Sequence, residues 1–176
     1  AGHISVPFFP TLKSNEIEKL LDFGDVDALF VGKLENWEEM KKGIKEDMPI
    51  IAFPNYKNHS KISIGKQWFD FINSHEPITE NFQPKLSDVW TIIFTSGTTG
   101  DPKGVVLTYE ALYNTKKITE DGNPLKVDFS GKNDYISYMP LNHIFERVVI
   151  EHTAFRFGGT ISFVESLETF GQNLND

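Results

Sequence analysis

Short apolar runs alternate along this chain with segments of helical spacing, and that alternation restricts the folds open to it more than any other feature. Ile4 to Phe9 has strand character. Ser14 stands where a helix cap belongs, with Glu16 in the first turn, Ile17, Leu20 and Leu21 on one face and Gly24 beyond. Ala28 to Val31 reads as a short buried strand, Glu35 to Lys42 as a helix running from acidic to basic residues, and Ile50 to Phe53 as the next strand. Gly65 to Ser74 carries Trp68, Phe69 and Ile72 at helical spacing, which predicts a core-facing helix. A polar connector around residues 75–87 contains Pro77 and Pro84. Beyond it, Val89 to Thr95 predicts a strand, Thr108 caps a helix reaching about Ile118, Tyr135 to Met139 is strand-like, Ile144 to Phe157 helical, and Thr160 to Val164 strand-like. The pattern predicts an α/β fold with a layered, mostly parallel sheet and helices on its faces.

Composition sets outer limits. With 176 residues, of which 39% are hydrophobic, the chain can bury one core, and length predicts one domain. No stretch approaches the roughly 20 apolar residues of a membrane span, and no cleavable signal peptide is visible. The absence of cysteine excludes disulfides and thiolate metal sites and fits a reducing compartment. A net charge of −8 without a basic stripe argues against a nucleic-acid partner, so any polyanion must be met locally. The chain opens without methionine inside apparent strand and stops at Asn173 to Asp176 just after another element has begun. It therefore reads as residues 1–176 of a partial domain excised from a larger parent, whose remainder is its first expected partner.

The segment from Thr91 to Val106 carries the most chemistry. An apolar run empties into Thr95-Ser96-Gly97-Thr98-Thr99-Gly100-Asp101-Pro102-Lys103-Gly104, and Val105 to Leu107 then pairs with the first run or extends onward. Glycines let backbone N–H groups turn toward an anion, hydroxyls add donors or magnesium ligands, and Lys103 supplies a mobile positive charge. The P-loop pattern G-x-x-x-x-G-K-[ST] does not fit: Pro102 stands at its second glycine and Gly104 follows the lysine where a hydroxyl belongs. A plain hairpin between two strands is the competing reading, although a hairpin does not by itself call for Pro-Lys-Gly.

A second site is Tyr138-Met-Pro-Leu-Asn-His-Ile-Phe-Glu-Arg147. Pro140 ends the strand and Asn142 can cap a helix with His143 in its first turn, facing whatever lies beyond the strand's carboxyl end. A satisfied structural histidine is the plainer alternative. Glu146 and Arg147 read either as a surface pair or as substrate-side residues.

The run from Phe94 to Gly104 resembles the signature loop of the acyl-adenylate-forming superfamily. The segment around His143 is similar to its acyl-CoA branch, and the extension Phe145-Glu-Arg147 to long-chain fatty acyl-CoA synthetases. Gly2 to Leu12 and Gly158 to Glu168 add weaker likeness, so the resemblance covers nearly the whole chain. It implies an AMP-forming acid–thiol ligase. A fatty carboxylate attacks the α-phosphorus of Mg-ATP, giving acyl-adenylate and pyrophosphate, and coenzyme A thiol then displaces AMP. It further implies that Thr95 to Gly104 hold the β- and γ-phosphates, that Lys103 is the mobile cation and that Thr98 or Thr99 is the hydroxyl beside Mg2+. His143 would stand at the acyl-carboxylate end. The family's aromatic-Gly-x-[ST]-Glu segment, its ribose-binding aspartate and its C-terminal catalytic lysine have no counterpart here. Adenine, ribose and thioester chemistry therefore lie elsewhere, and the segment alone is expected to make no acyl-CoA. An aryl-CoA, acyl-carrier-protein or peptide-synthetase type of adenylate-former remains an alternative, as does a non-catalytic nucleotide-binding module. The implied partners are small-molecule substrates and the implied setting is cytoplasmic, with peripheral membrane contact left open.

Overall fold

Ile17, Leu20 and Leu21 recur at the spacing of one helix face. In the computed structural model, which describes residues 2–95, 102–166 and 168–174, all three are buried on one side of α1 (Ser14–Phe23). Each such side chain contributes about 1.5–3 kcal/mol on leaving water. The cap differs from the sequence reading. Lys13 is the cap residue, and the Glu16 carboxylate reaches back to accept its backbone N–H at 2.8 Å. Helix formation thus begins one residue early, and the Ser14 hydroxyl is left to donate to Glu39 Oε1 at 3.2 Å.

Two compact units organise the described chain. The first spans Phe9–Gln83; the second gathers Gly2–Phe8 with Pro84 and most of the described chain after it. The first unit holds a parallel sheet of β1 (Leu29–Val31), β2 (Ile50–Ala52) and β3 (Lys66–Gln67), with Phe30 opposite Ile51 and Ile51 opposite Lys66. All of β2 is buried, as a parallel strand covered on both faces should be. The helix expected over Glu35 to Lys42 is found as α2 (Trp37–Met40) running into a 3-10 turn, Lys41–Gly43, with Trp37 and Met40 buried. The core-facing helix expected after Gly65 is corrected. The pair Lys66–Gln67 adds an edge strand, and α3 (Trp68–Asn73) buries none of its residues, Phe69 being 59% exposed. Its apolar spacing serves a ring cluster instead, with Trp68 lying 5.1 Å from Phe53 and 6.5 Å from Phe30 between centroids.

In the second unit, β4 (Val89–Thr95) and β5 (Lys103–Thr108) pair antiparallel, and β6 (Asp134–Ser137) and β7 (Thr160–Phe163) pair parallel. The strand expected over Ile4 to Phe9 is reduced to a single bridge, Ser5 to Thr91. Ser5 donates to Trp90 O at 3.3 Å and accepts from Ile92 N at 3.0 Å. The next residue facing the same way is Pro7, which has no N–H to continue the ladder. Helix α4 (Tyr109–Gly122) runs past Ile118 and stops where Asn123 turns left-handed, at φ 41°. Thr108 stands at its N-cap but makes no side-chain cap bond. The first free N–H groups, on Tyr109 and Glu110, donate instead to the Asp88 and Leu86 carbonyls at 3.0 and 2.9 Å. The helix expected over Ile144 to Phe157 is present, but Phe145–His152 is π-helical and only α5 (Thr153–Phe157) is regular. A short α6 (Phe170–Asn173) follows β7. Among the described residues no helix is long and apolar enough to cross a membrane.

Gly43 is set by a close approach, since a Cβ there would overlap the Ser14 backbone carbonyl at the start of α1. Gly43→Ala is expected to destabilise the first unit by about 1–3 kcal/mol through overpacking. Urea unfolding followed by far-UV circular dichroism checks this, and an unchanged midpoint would contradict the packing described.

Candidate functional site

β4 buries Thr91 and Ile93 on one face and Phe94 on the other, and it ends at the exposed Thr95. Thr95 lies opposite Lys103 and Phe94 opposite Gly104 in the antiparallel register. The Thr95 hydroxyl donates to the Lys103 carbonyl at 3.5 Å, closing the described part of the hairpin. Ser96, Gly97, Thr98, Thr99, Gly100 and Asp101 lie outside the described residues. Pro102 is half-buried and Lys103 exposed. Among the described residues the Lys103 ammonium meets no carboxylate at ion-pair distance. Gly104 has a reason of its own. A Cβ there would press on Ile92 Cγ2 and Phe94 Cε1, each at 3.2 Å, while the Phe94 ring packs edge-on against Phe8. A side chain there would have to push that methyl and ring aside by a few tenths of an ångström, so the glycine suits the hairpin as well as an anion loop, and the two readings of the segment are compatible.

His143 is placed by the turn after β6. Its N–H donates to Pro140 O at 2.8 Å, and its carbonyl accepts from Arg147 N at 3.1 Å. Its Nδ1 accepts the Phe145 N–H at 3.3 Å, so His143, and not Asn142, caps the helix. Accepting at Nδ1 leaves the proton of the neutral ring on Nε2, a donor for an incoming anion. Asn142 is buried, and its Oδ1 has no partner among the described residues.

Glu146 and Arg147 are not a surface pair. They are 1% and 6% exposed. Glu146 Oε2 accepts the Met139 N–H at 3.3 Å. Arg147 Nη1 donates to both Glu151 oxygens, at 3.2 and 2.9 Å, while the guanidinium lies 4.9 Å from the centre of the Trp90 ring. Trp90 and Glu151 were not legible as parts of this arrangement. Glu151, four residues after Arg147, was the available signal. No hydrogen bond among the described residues joins His143 to Lys103. What the two share is β4, which pairs with β5 under Lys103 and carries Trp90 under Arg147.

Solved structures follow the same course of chain. The anthranilate CoA ligase AuaEII in complex with anthranoyl-AMP aligns with a TM-score of 0.76 at 16% identity, covering 97% of this chain and 32% of that one. An acyl-CoA synthetase from Brucella canis aligns at 0.75 and 14%, covering 99% and 31%. These likenesses show that the chain shares the fold of the corresponding part of each structure. The chain belongs to the AMP-binding enzyme family, which it matches over residues 1–173. It is similar to Long chain acyl-CoA synthetase 5 of Arabidopsis thaliana, 31% identical over 173 residues, covering 92% of this chain and 26% of that protein. It is also similar to the peroxisomal Long chain acyl-CoA synthetase 7 of the same plant, 48% identical over 158 residues, covering 82% and 21%. The chain thus spans about a quarter of the length of these relatives.

Near the site, His152 is held below the usual histidine range, first by burial and then by the Arg156 charge, against a bond to the Leu112 backbone. Its Nε2 is buried without a partner among the described residues. A lowered folded-state value means that the unfolded chain binds the proton more readily. Stability is therefore complete above the unfolded value, about 6.5, and declines as pH falls through it toward the folded value. Urea midpoints measured from pH 7.5 to 5 should show this decline, and His152→Gln should flatten it. An equally steep decline in the variant would remove His152 as its source.

Proposed function

We propose that this chain forms the pyrophosphate end and part of the acyl end of the active site in an ATP-dependent, AMP-forming long-chain fatty acid–CoA ligase. The observation that carries the reading is the family match over residues 1–173 together with relatives named long chain acyl-CoA synthetases. In the proposed reaction, a fatty carboxylate oxygen forms a bond to the α-phosphorus of ATP while the bond to pyrophosphate breaks. The thiol of coenzyme A then takes the acyl carbon and AMP leaves. Both partners of the first step are anions, so donors that offset developing charge carry much of the catalysis.

Residues Thr95 to Gly104 would hold the β- and γ-phosphates. They offer what a polyphosphate needs, namely backbone N–H groups, hydroxyls and one ammonium that no described carboxylate engages. Magnesium, when bound, neutralises phosphate charge. Thr98 or Thr99 would offer it a hydroxyl ligand beside phosphate oxygens. His143 would donate from Nε2 to the acyl carboxylate. The absence of cysteine fits a cytoplasmic setting, and a fatty substrate that partitions into lipid would draw such an enzyme to a membrane surface. Other acids are separated by substrate: pyrophosphate exchange driven by aryl or amino acids would favour an aryl-CoA or peptide-synthetase type, and no exchange with any acid a non-catalytic module.

In the full-length protein, Lys103→Ala should slow adenylate formation by about 2–4 kcal/mol, roughly 30- to 1,000-fold, because it removes a charge-assisted contact to the departing pyrophosphate. Thioester formation from preformed acyl-adenylate should change little. Comparing ATP–pyrophosphate exchange with single-turnover thioester formation tests this, and equal slowing of both steps would refute the role.

For His143 the cap and the chemistry can be separated. His143→Ala should cost about 0.5–2 kcal/mol of stability by losing the bond to Phe145 N–H, and His143→Asn should restore most of it, since asparagine caps well. Both variants should lose turnover alike. If the asparagine variant regains activity along with its melting temperature, His143 is only a cap.

A further inference from the structure

Arg147 is held in a way that stability alone does not explain. Its guanidinium is buried, bidentate to Glu151 and stacked on Trp90, yet its Nε has no partner among the described residues. Buried ion pairs are often no more stabilising than apolar side chains of the same volume. What this one does is join two pieces of backbone. Met139 N–H on Glu146, and Arg147 N–H on the His143 carbonyl, fix the His143 turn to the start of the helix. The Arg147 side chain then fixes that helix to β4. The register between β4 and β5 shifts between Val89 and Thr91, so Trp90 stands at a bulge, a feature that re-aims a side chain. Farther along the same strand, Thr95 faces Lys103.

We infer that Arg147, through its contact with Trp90, is a positioning residue that holds the His143 turn and the Lys103 strand in one frame, so that acyl carboxylate and phosphate meet in line. The inference rests on the proposed ligase reading but assigns residues that touch no substrate. Loss of such alignment lowers the rate of the first step without weakening binding of either substrate.

The test is fatty-acid-dependent ATP–pyrophosphate exchange by the full-length protein and its Arg147→Met, Trp90→Leu and doubly substituted variants, all assayed well below their melting temperatures. Each single variant should lose about 10- to 100-fold in kcat, with KM for ATP and for fatty acid within about threefold of the original. The double variant should fall no more than about twofold below the weaker single one, because both changes remove one contact. Trp90→Phe, which keeps a ring face under the guanidinium, should recover to within about fivefold of the original protein. Should Arg147→Met not fold, Arg147→Lys takes its place in the cycle with the same non-additivity expected. Multiplying losses, a change confined to KM, or an Arg147 variant that exchanges at the original rate would each overturn the inference. An unsubstituted protein that shows no exchange with any fatty acid would instead refute the ligase reading, and the inference with it.

Discussion

Antiparallel pairing of β4 with β5 sets where the candidate chemistry of the second unit stands. The ladder puts Thr95 opposite Lys103 at its open end and leaves Trp90 at the bulge near its other end. It is braced from outside by Ser5, whose carbonyl accepts both the Ile92 N–H at 3.0 Å and the Thr91 hydroxyl at 2.6 Å. Thr91 is fully buried, so its hydroxyl needs that acceptor, and a slip of one residue would turn Thr91, Ile93 and every other inward side chain outward. Gly104 suits the same register from β5, since opposite it the Phe94 ring and the Ile92 methyl leave little room for a side chain. A loop between two strands can present a fixed set of donors only if its two ends are fixed, and these contacts fix both.

The alternation of elements was legible because it depends on burial, which leaves a periodic trace in the sequence. Leu29–Val31, Ile50–Ala52, Val89–Thr95 and Thr160–Phe163 all fall where apolar runs had placed them. Caps were less legible, because a cap is a competition among acceptors. The Ser14 hydroxyl lost to the Glu16 carboxylate, and the Thr108 hydroxyl was displaced by backbone carbonyls from Leu86 and Asp88, residues that no local pattern connects to α4. Asn142 lost to His143, whose ring nitrogen reaches the Phe145 N–H. The edge strand Lys66–Gln67 carries no apolar signal, and the short α3 after it spends its spacing on the Phe30–Phe53–Trp68 ring cluster.

Of the candidate site the sequence shows residue types and not positions. Hydroxyls, glycines and a lysine in the order of Thr95 to Gly104 suggest anion chemistry, while Ser96 to Asp101 lie outside the described residues. Periodicity could not show that the helix after His143 is π-helical over Phe145–His152. Such segments are uncommon and are frequent at functional sites, and the Thr153 hydroxyl reaches back five residues to the Val148 carbonyl, at 3.4 Å. Neither feature has a signature in a run of eight residues.

Glu146 and Arg147 are costly residues to bury side by side. Two adjacent charged residues in a helix point in different directions, so each needs its own partner. Glu146 finds the Met139 N–H, and Arg147 finds Glu151 and Trp90. Taking a charge out of water costs several kcal/mol even after relaxation, and these contacts must first offset that cost before adding anything. An apolar pair at these positions would fill the volume at lower cost, but it would fix neither the Met139 backbone nor the angle between helix and strand. Hydrogen bonds and ring stacking are directional where apolar packing is not. The side chains that cost most to bury are therefore the ones that define where the His143 turn sits relative to β4.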